Sequence, residues 1–174
     1  MAIIYLSVGS NVEPARYIQA GLLTLQQHYG ELCLSAVYES PAVGFDGDNF
    51  YNLVLSFHSD AKPLAIAEQL RCIEEQHGRV RGSNRFDSRT LDLDLILYDD
   101  LILNSAKLVL PRDEILKYAF VLAPLAELAP ELKHPVIEKT YRELWADFAK
   151  SEQTIWKIAL DLAPSPLFTT PPNP

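Results

Sequence analysis

Apolar and polar positions alternate along the chain with periods that change several times. Residues 2–8 (Ala-Ile-Ile-Tyr-Leu-Ser-Val) form an apolar run that reads as a buried strand. Gly9-Ser10-Asn11 breaks it, and Pro14 suits the first turn of a helix. Ala15, Ile18, Leu22, Leu25 and Tyr29 then recur at helical spacing until Gly30. Residues 32–39 alternate and predict a second strand, and residues 50–59 a third. On the third, Tyr51, Leu53, Leu55 and Phe57 share the apolar face, with Phe50, Asn52, Val54, Ser56 and His58 opposite. Pro63 opens a second helix to about His77, with Ile66, Leu70, Ile73 and His77 on one stripe. In residues 91–98, Leu91, Leu93, Leu95 and Leu97 fall on one face of an extended chain and Asp92 and Asp94 on the other.

The order strand–helix–strand–strand–helix–strand predicts an α+β fold, a ferredoxin-like βαββαβ sandwich: an antiparallel sheet with both helices on one face. Its fourth strand would lie beside the first and bring Asp92 and Asp94 near Gly9-Ser10-Asn11. Irregular chain or short strands are expected over 101–110, a helical turn over 112–118, a helix over 119–128, an amphipathic C-terminal helical extension over 140–150 and a strand or edge segment over 154–160. Residues 1–162 read as one domain. Residues 163–174 hold five of the 12 prolines and are expected to be a disordered tail.

Composition narrows the function. The chain has 174 residues, 22% charged, with net charge −8 and a pI near 4.9. That disfavours nucleic-acid backbones and acidic membranes as partners. Two cysteines make neither a disulfide framework nor a metal site. With no apolar run of spanning length and no basic leader at the start, the expectation is a cytoplasmic protein. Against this acidic background, residues 79–89 carry Arg79, Arg81, Arg85 and Arg89 with one aspartate, a local charge of +3. Same-face carboxylates on a strand sit roughly 6.5–7 Å apart. Such a pair can hold cations, and guanidiniums beside it can hold oxyanions, which suits polyphosphate chemistry. A solvated polar strand face is the plainer alternative for Asp-x-Asp alone. Gly-Ser-Asn at a strand-to-helix turn could aim backbone N–H groups at an anion. Phe50 and Asn52 share a face and could grip a flat heterocycle, although a core Phe beside a turn Asn is commoner. The histidines lack metal-ligand spacing, and neither a Walker A sequence nor Gly-x-Gly-x-x-Gly occurs.

Five segments together resemble the 6-hydroxymethyl-7,8-dihydropterin pyrophosphokinase family. They are Gly9-Ser10-Asn11, Phe50-Tyr51-Asn52, Gly78-Arg79-Val80-Arg81, Arg89-Thr90-Leu91-Asp92-Leu93-Asp94 and Phe120-Val121-Leu122-Ala123-Pro124-Leu125. The resemblance covers about residues 2–148 and implies the ferredoxin-like arrangement. It implies transfer of the diphosphoryl group of ATP to the pterin hydroxymethyl, giving AMP, in folate synthesis. By position, it implies that Asp92 and Asp94 hold two Mg²⁺ ions, with Arg79 and Arg89 catalytic. Arg81, Arg112 and Glu74 would serve ATP. Phe50 and Phe120 would sandwich the pterin, with Asn52 and the backbone of Ser40 to Gly44 on its edge. The expected partners are these two small molecules, and the expected state is a monomer. A non-catalytic or altered-activity pterin- or nucleotide-binding paralogue is the alternative. Three departures stand out: Arg112 replaces a His after the late proline, and Tyr118 replaces an Arg. Arg85-Phe86-Asp87-Ser88-Arg89 replaces Arg-Trp-Gly-Pro-Arg.

Overall fold

The computed structural model describes residues 1–44, 46–79, 89–148, 153–160, 162 and 167–171. Strand β1 (Ala2–Ser10) is central. It pairs antiparallel with β4 (Phe50–Ser59) on one side and with β5 (Asp92–Tyr98) on the other. The stretch expected to be one strand over 32–39 is two, β2 (Leu32–Leu34) and β3 (Val37–Ser40), both antiparallel to β4. The break lies at Ser35-Ala36. There the Ser35 hydroxyl accepts the Val54 N–H at 3.0 Å, and the Ala36 N–H donates to the Glu127 carboxylate at 2.9 Å. The Ser35 N–H still donates to the Val54 carbonyl at 2.9 Å, but the Val54 and Ala36 N–H groups are taken by side chains, and the ladder breaks there.

Helices α1 (Pro14–Tyr29) and α2 (Pro63–Gln76) cover one face of the sheet. Ile18, Leu22 and Leu25 of α1, with Ile66, Leu70 and Ile73 of α2, meet Leu6, Val8, Leu53, Leu55 and Phe57 in one apolar cluster. Burying each such side chain contributes about 1.5–3 kcal/mol. Gly21 lets α1 approach β5, since a Cβ there would lie 2.8 Å from Leu91 Cδ2. The segment after β5 carries the two-residue strands β6 (Leu103–Asn104) and β7 (Val109–Leu110). It continues into α3 (Glu114–Lys117), α4 (Ala119–Leu128) and α5 (Tyr141–Asp147). Ile115, Val121, Leu122, Leu125 and Tyr141 pack on the other face, against Tyr5, Val54 and Ile96. The sheet thus has helices on both faces, where the sequence reading put helices on one.

Strand β5 departs from strict alternation. Tyr5 pairs with Leu97 and Leu6 with Leu95, so Ile96 is an extra residue, a β-bulge. Leu91, Leu93 and Leu95 join the first cluster, but Leu97 turns into the second with Ile96. The expectation that all four leucines share a face therefore fails at Leu97, because the bulge reverses the pleat there.

At the C-terminal end, β8 (Trp156–Ile158) adds to the edge of β3, as expected for an edge segment. Within the stretch expected to be disordered, β9 (Phe168–Thr169) pairs parallel with Leu32–Cys33. The Leu32 N–H donates to the Leu167 carbonyl at 2.8 Å, satisfying the start of β2.

Candidate active site

A cavity of about 330 Å³ opens where β1, β4 and β5 approach the start of α4. Its lining includes Arg79, Arg89, Asp92, Asp94 and Arg112, together with Ser40, Phe50, Asn52 and Phe120. These nine come from six separate stretches of the chain, and one cavity gathers them. Gly44 and Glu74 are not in the lining. Arg81 lies outside the described residues, as do Arg85 and the Phe86-Asp87-Ser88 departure.

Gly-Ser-Asn has a different task from the anion-binding turn considered above. The Asn11 and Val12 N–H groups both donate to the Arg89 carbonyl, at 3.0 and 3.3 Å. The Asn11 side-chain oxygen accepts the Arg89 N–H at 2.7 Å, and the Ser10 hydroxyl donates to the Thr90 carbonyl at 2.5 Å. Those donors are committed to the chain itself. Ser10 and Asn11 are buried, and together they clamp the backbone of Arg89 and Thr90 at the entry to β5.

Asp92 and Asp94 differ in what holds them. The Asp92 carboxylate forms close ion pairs with both Arg79 and Arg89, and its side chain is 15% exposed. Asp94 is 49% exposed, and among the described residues its nearest ion-pair partner is Arg112 at 3.8 Å. Although half of its side-chain surface still faces the cavity, the protein atoms crowded around the Asp94 carboxyl desolvate it and push it up to about 6, with Asp92 adding to the rise and Arg112 opposing it. The bulge at Ile96 places Arg112, whose N–H donates to the Ile96 carbonyl at 3.0 Å. The Arg112 guanidinium then meets Glu114 at 2.8 Å.

Glu74 and Arg71, one turn apart on α2, separate. Arg71 stays on the surface, whereas Glu74 is only 2% exposed. Its carboxylate accepts the Leu93 N–H at 2.8 Å and pairs closely with Arg79. Burial raises the Glu74 carboxyl to about 7, against the Leu93 hydrogen bond and Arg79, which both lower it. Burial alone would lower the Arg79 pKa, but Asp92 and Glu74 outweigh it and raise it. Glu74 therefore stands behind the cavity wall, where it seats Arg79.

The aromatic side is set by β4 and α4. The Asn52 amide nitrogen donates to the Ser40 hydroxyl at 3.0 Å and to the Phe50 carbonyl at 3.3 Å. Gly9 faces Asn52 across the β1–β4 pair, and a Cβ at Gly9 would sit 3.4 Å from the Asn52 side-chain oxygen. Glycine therefore leaves the cavity floor open beside that oxygen. Phe120 stacks on Tyr118, ring centres 5.0 Å apart at 14°. Both rings line the cavity. Sequence reasoning missed Ser7, Ile96 and Glu114 in the lining. Ser7 and Ile96 look like ordinary strand residues, and Glu114 like a surface helix acid. Only Gly9, in a broken Gly-Ser-Asn turn, carried a signal.

Among the described residues, no group of three or more His, Cys, Asp or Glu is arranged to hold a metal ion. Two same-face carboxylates beside a cationic wall still fit a cation that takes its remaining oxygens from water and phosphate.

Residues 5–130 match the model of the family described as 7,8-dihydro-6-hydroxymethylpterin-pyrophosphokinase. The chain is 37% identical over 136 residues to the 2-amino-4-hydroxy-6-hydroxymethyldihydropteridine pyrophosphokinase of Pseudomonas aeruginosa, covering 76% of this chain and 83% of that one. It is 32% identical over 145 residues to the enzyme of the same name from Aquifex aeolicus, covering 82% and 90%. Its fold resembles an HPPK-DHPS in complex with substrates (TM-score 0.70, 13% identity, 87% of this chain). It also resembles the wild-type HPPK-DHPS of Plasmodium falciparum (TM-score 0.69, 16% identity, 87% of this chain). The chain spans 44% and 46% of those longer chains, and at such identity the likeness speaks for the fold. The match over residues 5–130 and the identity to these curated relatives show that the chain belongs to the 7,8-dihydro-6-hydroxymethylpterin-pyrophosphokinase family.

Proposed function

We propose that this protein transfers the diphosphoryl group of ATP to the hydroxymethyl group of 6-hydroxymethyl-7,8-dihydropterin, releasing AMP, in folate biosynthesis. Family membership supports the reaction. One juxtaposition supports where it happens. Asp92, Asp94, Arg79 and Arg89 share a cavity with Phe50, Asn52 and Phe120. A carboxylate–guanidinium wall suits a triphosphate, and an aromatic–amide wall suits a flat heterocycle.

In this reading Asp92 and Asp94 hold Mg²⁺, two ions by family analogy. Magnesium, when bound, neutralises and orients the triphosphate. Arg79 and Arg89 exchange part of their hold on Asp92 for phosphate oxygens as ATP enters. Arg112, beside Asp94, supplies a further cation, and Arg81 completes the set. Glu74 fixes Arg79 from behind. Phe50 and Phe120 enclose the pterin ring, while Asn52, Ser40 and the backbone up to Gly44 bond its edge. The hydroxymethyl oxygen then meets the β-phosphorus. A bond forms there as the hydroxyl gives up its proton to solvent, the bond between the β-phosphorus and the α–β bridging oxygen breaks, and that oxygen leaves with AMP. The chemistry needs in-line positioning and charge stabilisation above all. We also read the sheet order as the ferredoxin-like arrangement. Residues 1–162 are taken as one domain with residues 163–174 as a tail, in a monomeric cytoplasmic enzyme.

The test separates the two walls. Phe120→Ala and Asn52→Ala should weaken pterin affinity about 5- to 150-fold, from losses of about 1–3 kcal/mol. MgATP affinity should change far less. Asp92→Asn and Asp94→Asn should do the reverse and abolish turnover. Equal damage to both ligands in every variant would mean the two substrates do not divide the cavity this way.

A further inference from the structure

A short C-terminal segment beyond the family-matched residues 5–130 touches both walls of the cavity. At its start is Gln153. Its side-chain oxygen accepts the Ala119 N–H at 2.9 Å, and its side-chain nitrogen donates to the Lys117 carbonyl at 2.8 Å. Those two backbone groups flank Tyr118. Tyr118 is the single extended residue between α3 and α4 (φ −122°, ψ 125°), and it ends one helix and begins the other. The Ala119 N–H is one of the donors that a helix start leaves without an intrahelical partner. A primary amide thus brackets Tyr118 as a neighbouring strand would. It fixes the residue whose ring stacks on Phe120 in the cavity wall.

Three residues further on, the segment becomes β8 and pairs with β3, Trp156 opposite Glu39 and Lys157 opposite Tyr38. The Trp156 indole N–H donates to one Glu39 oxygen at 3.1 Å, and the Asn49 amide donates to the other at 2.9 Å. Glu39 immediately precedes Ser40 and Pro41, and Asn49 immediately precedes Phe50. All three of those neighbours line the cavity. Residues 153–158 therefore hold the helical wall at one end and the strand wall at the other.

We infer that this segment is a strap that sets the pterin slot, with Gln153 as a positioning residue acting through Tyr118 and Phe120, and Trp156 acting through Glu39. The inference rests on the pterin reading of the cavity. It makes the slot's geometry depend on residues that touch no substrate.

The experiment is steady-state kinetics and direct binding on the full chain for the parent, Gln153→Ala, Gln153→Glu and Trp156→Phe. Amide hydrogen exchange at Ala119 is followed in parallel. Gln153→Ala should raise the pterin KM on the order of tenfold, from two lost hydrogen bonds. The KM for MgATP should stay within about twofold, with the melting temperature little changed. Gln153→Glu keeps the acceptor for the Ala119 N–H and loses the donor to Lys117, so it should fall between parent and Gln153→Ala. Trp156→Phe should have a smaller effect, because the β3–β8 backbone pairing remains. Ala119 exchange should accelerate in Gln153→Ala with or without ligand. An unchanged pterin KM in Gln153→Ala overturns the inference. So does an equal rise in both KM values with a lowered melting temperature, which a merely structural role would give. A parent that binds no pterin, with Ala119 exchange still accelerated in Gln153→Ala, overturns the pterin reading while leaving the bracketing of Tyr118 in place.

Discussion

Tyr118 stands where the family resemblance places an arginine, so on the proposed reading this position offers the triphosphate no cation. The ring is not idle there, since it stacks on Phe120 and lines the cavity. Tyr118→Arg therefore has two opposed consequences. A cation near the triphosphate should raise kcat, because charge stabilisation acts most strongly in the transition state. Losing the stacked neighbour of Phe120, a pair of about 0.5–1.5 kcal/mol, should raise the pterin KM roughly 2- to 12-fold. Kinetics that leave kcat unchanged or lowered would mean that Arg112 or another cation already fills the gap. Of the residues the cavity gathers, Asp92, Asp94, Arg79, Arg89, Phe50 and Asn52 drew attention through residue type and spacing, and Phe120 through the family resemblance alone. Glu114 drew none. Its contact with Arg112 depends on where the Ile96 carbonyl docks the Arg112 backbone, and no local pattern encodes that.

Elements were legible where periodicity is local and failed where a distant partner decides. The helix over 14–29 and the strand over 50–59 follow from their own spacing. The Ile96 bulge depends on β1, and the Ser35-Ala36 break depends on Glu127, 91 residues beyond Ala36. The close approach of α1 to β5 depends on Gly21. Gly21→Ala removes a helix-interior glycine, a gain of about 0.5–1 kcal/mol. It also drives a Cβ into buried Leu91, and overpacking costs typically about 1–3 kcal/mol. The net should be destabilising by about 1 kcal/mol in chemical denaturation, and a stabilised variant would contradict the packing. Glu127 offers a second check, since it accepts from Ala36, Tyr38 and Lys157. Burial alone would raise its carboxyl, but the bonds from Lys157, Tyr38 and Ala36 win and hold it below the usual range. A depressed carboxylate stabilises the fold above its unfolded pKa, and that contribution is lost as pH falls through the folded value. Glu127→Gln should therefore be less stable than the parent at pH 7, and the gap should close in melts below about pH 4.5. A gap that stays constant down to pH 3 would show that the charge plays no part.

At the scale of the whole molecule, the sheet brings together two walls that the sequence keeps far apart. One comes from the arginines and the start of β5, the other from β3, β4 and the start of α4. Strand order alone puts Asp92 opposite Gly9 and Gly9 opposite Asn52, so the phosphate wall and the heterocycle wall meet across β1. That convergence was foreseeable from the element order, which predicted the fourth strand beside the first. The placement of α4 on the second face was not, because its apolar residues run nearly all round the helix and give no single stripe. On the proposed reading the two walls serve one reaction, whose products are a pterin diphosphate and AMP. The most direct test supplies the purified protein with Mg²⁺, hydroxymethyldihydropterin and ATP labelled in both its β- and γ-phosphates, and then separates the products. Both labels should arrive together on the pterin, with unlabelled AMP formed in equal amount, and a chelator should stop the reaction. Labelled ADP with a singly phosphorylated pterin, or ATP turnover indifferent to the pterin, would contradict it.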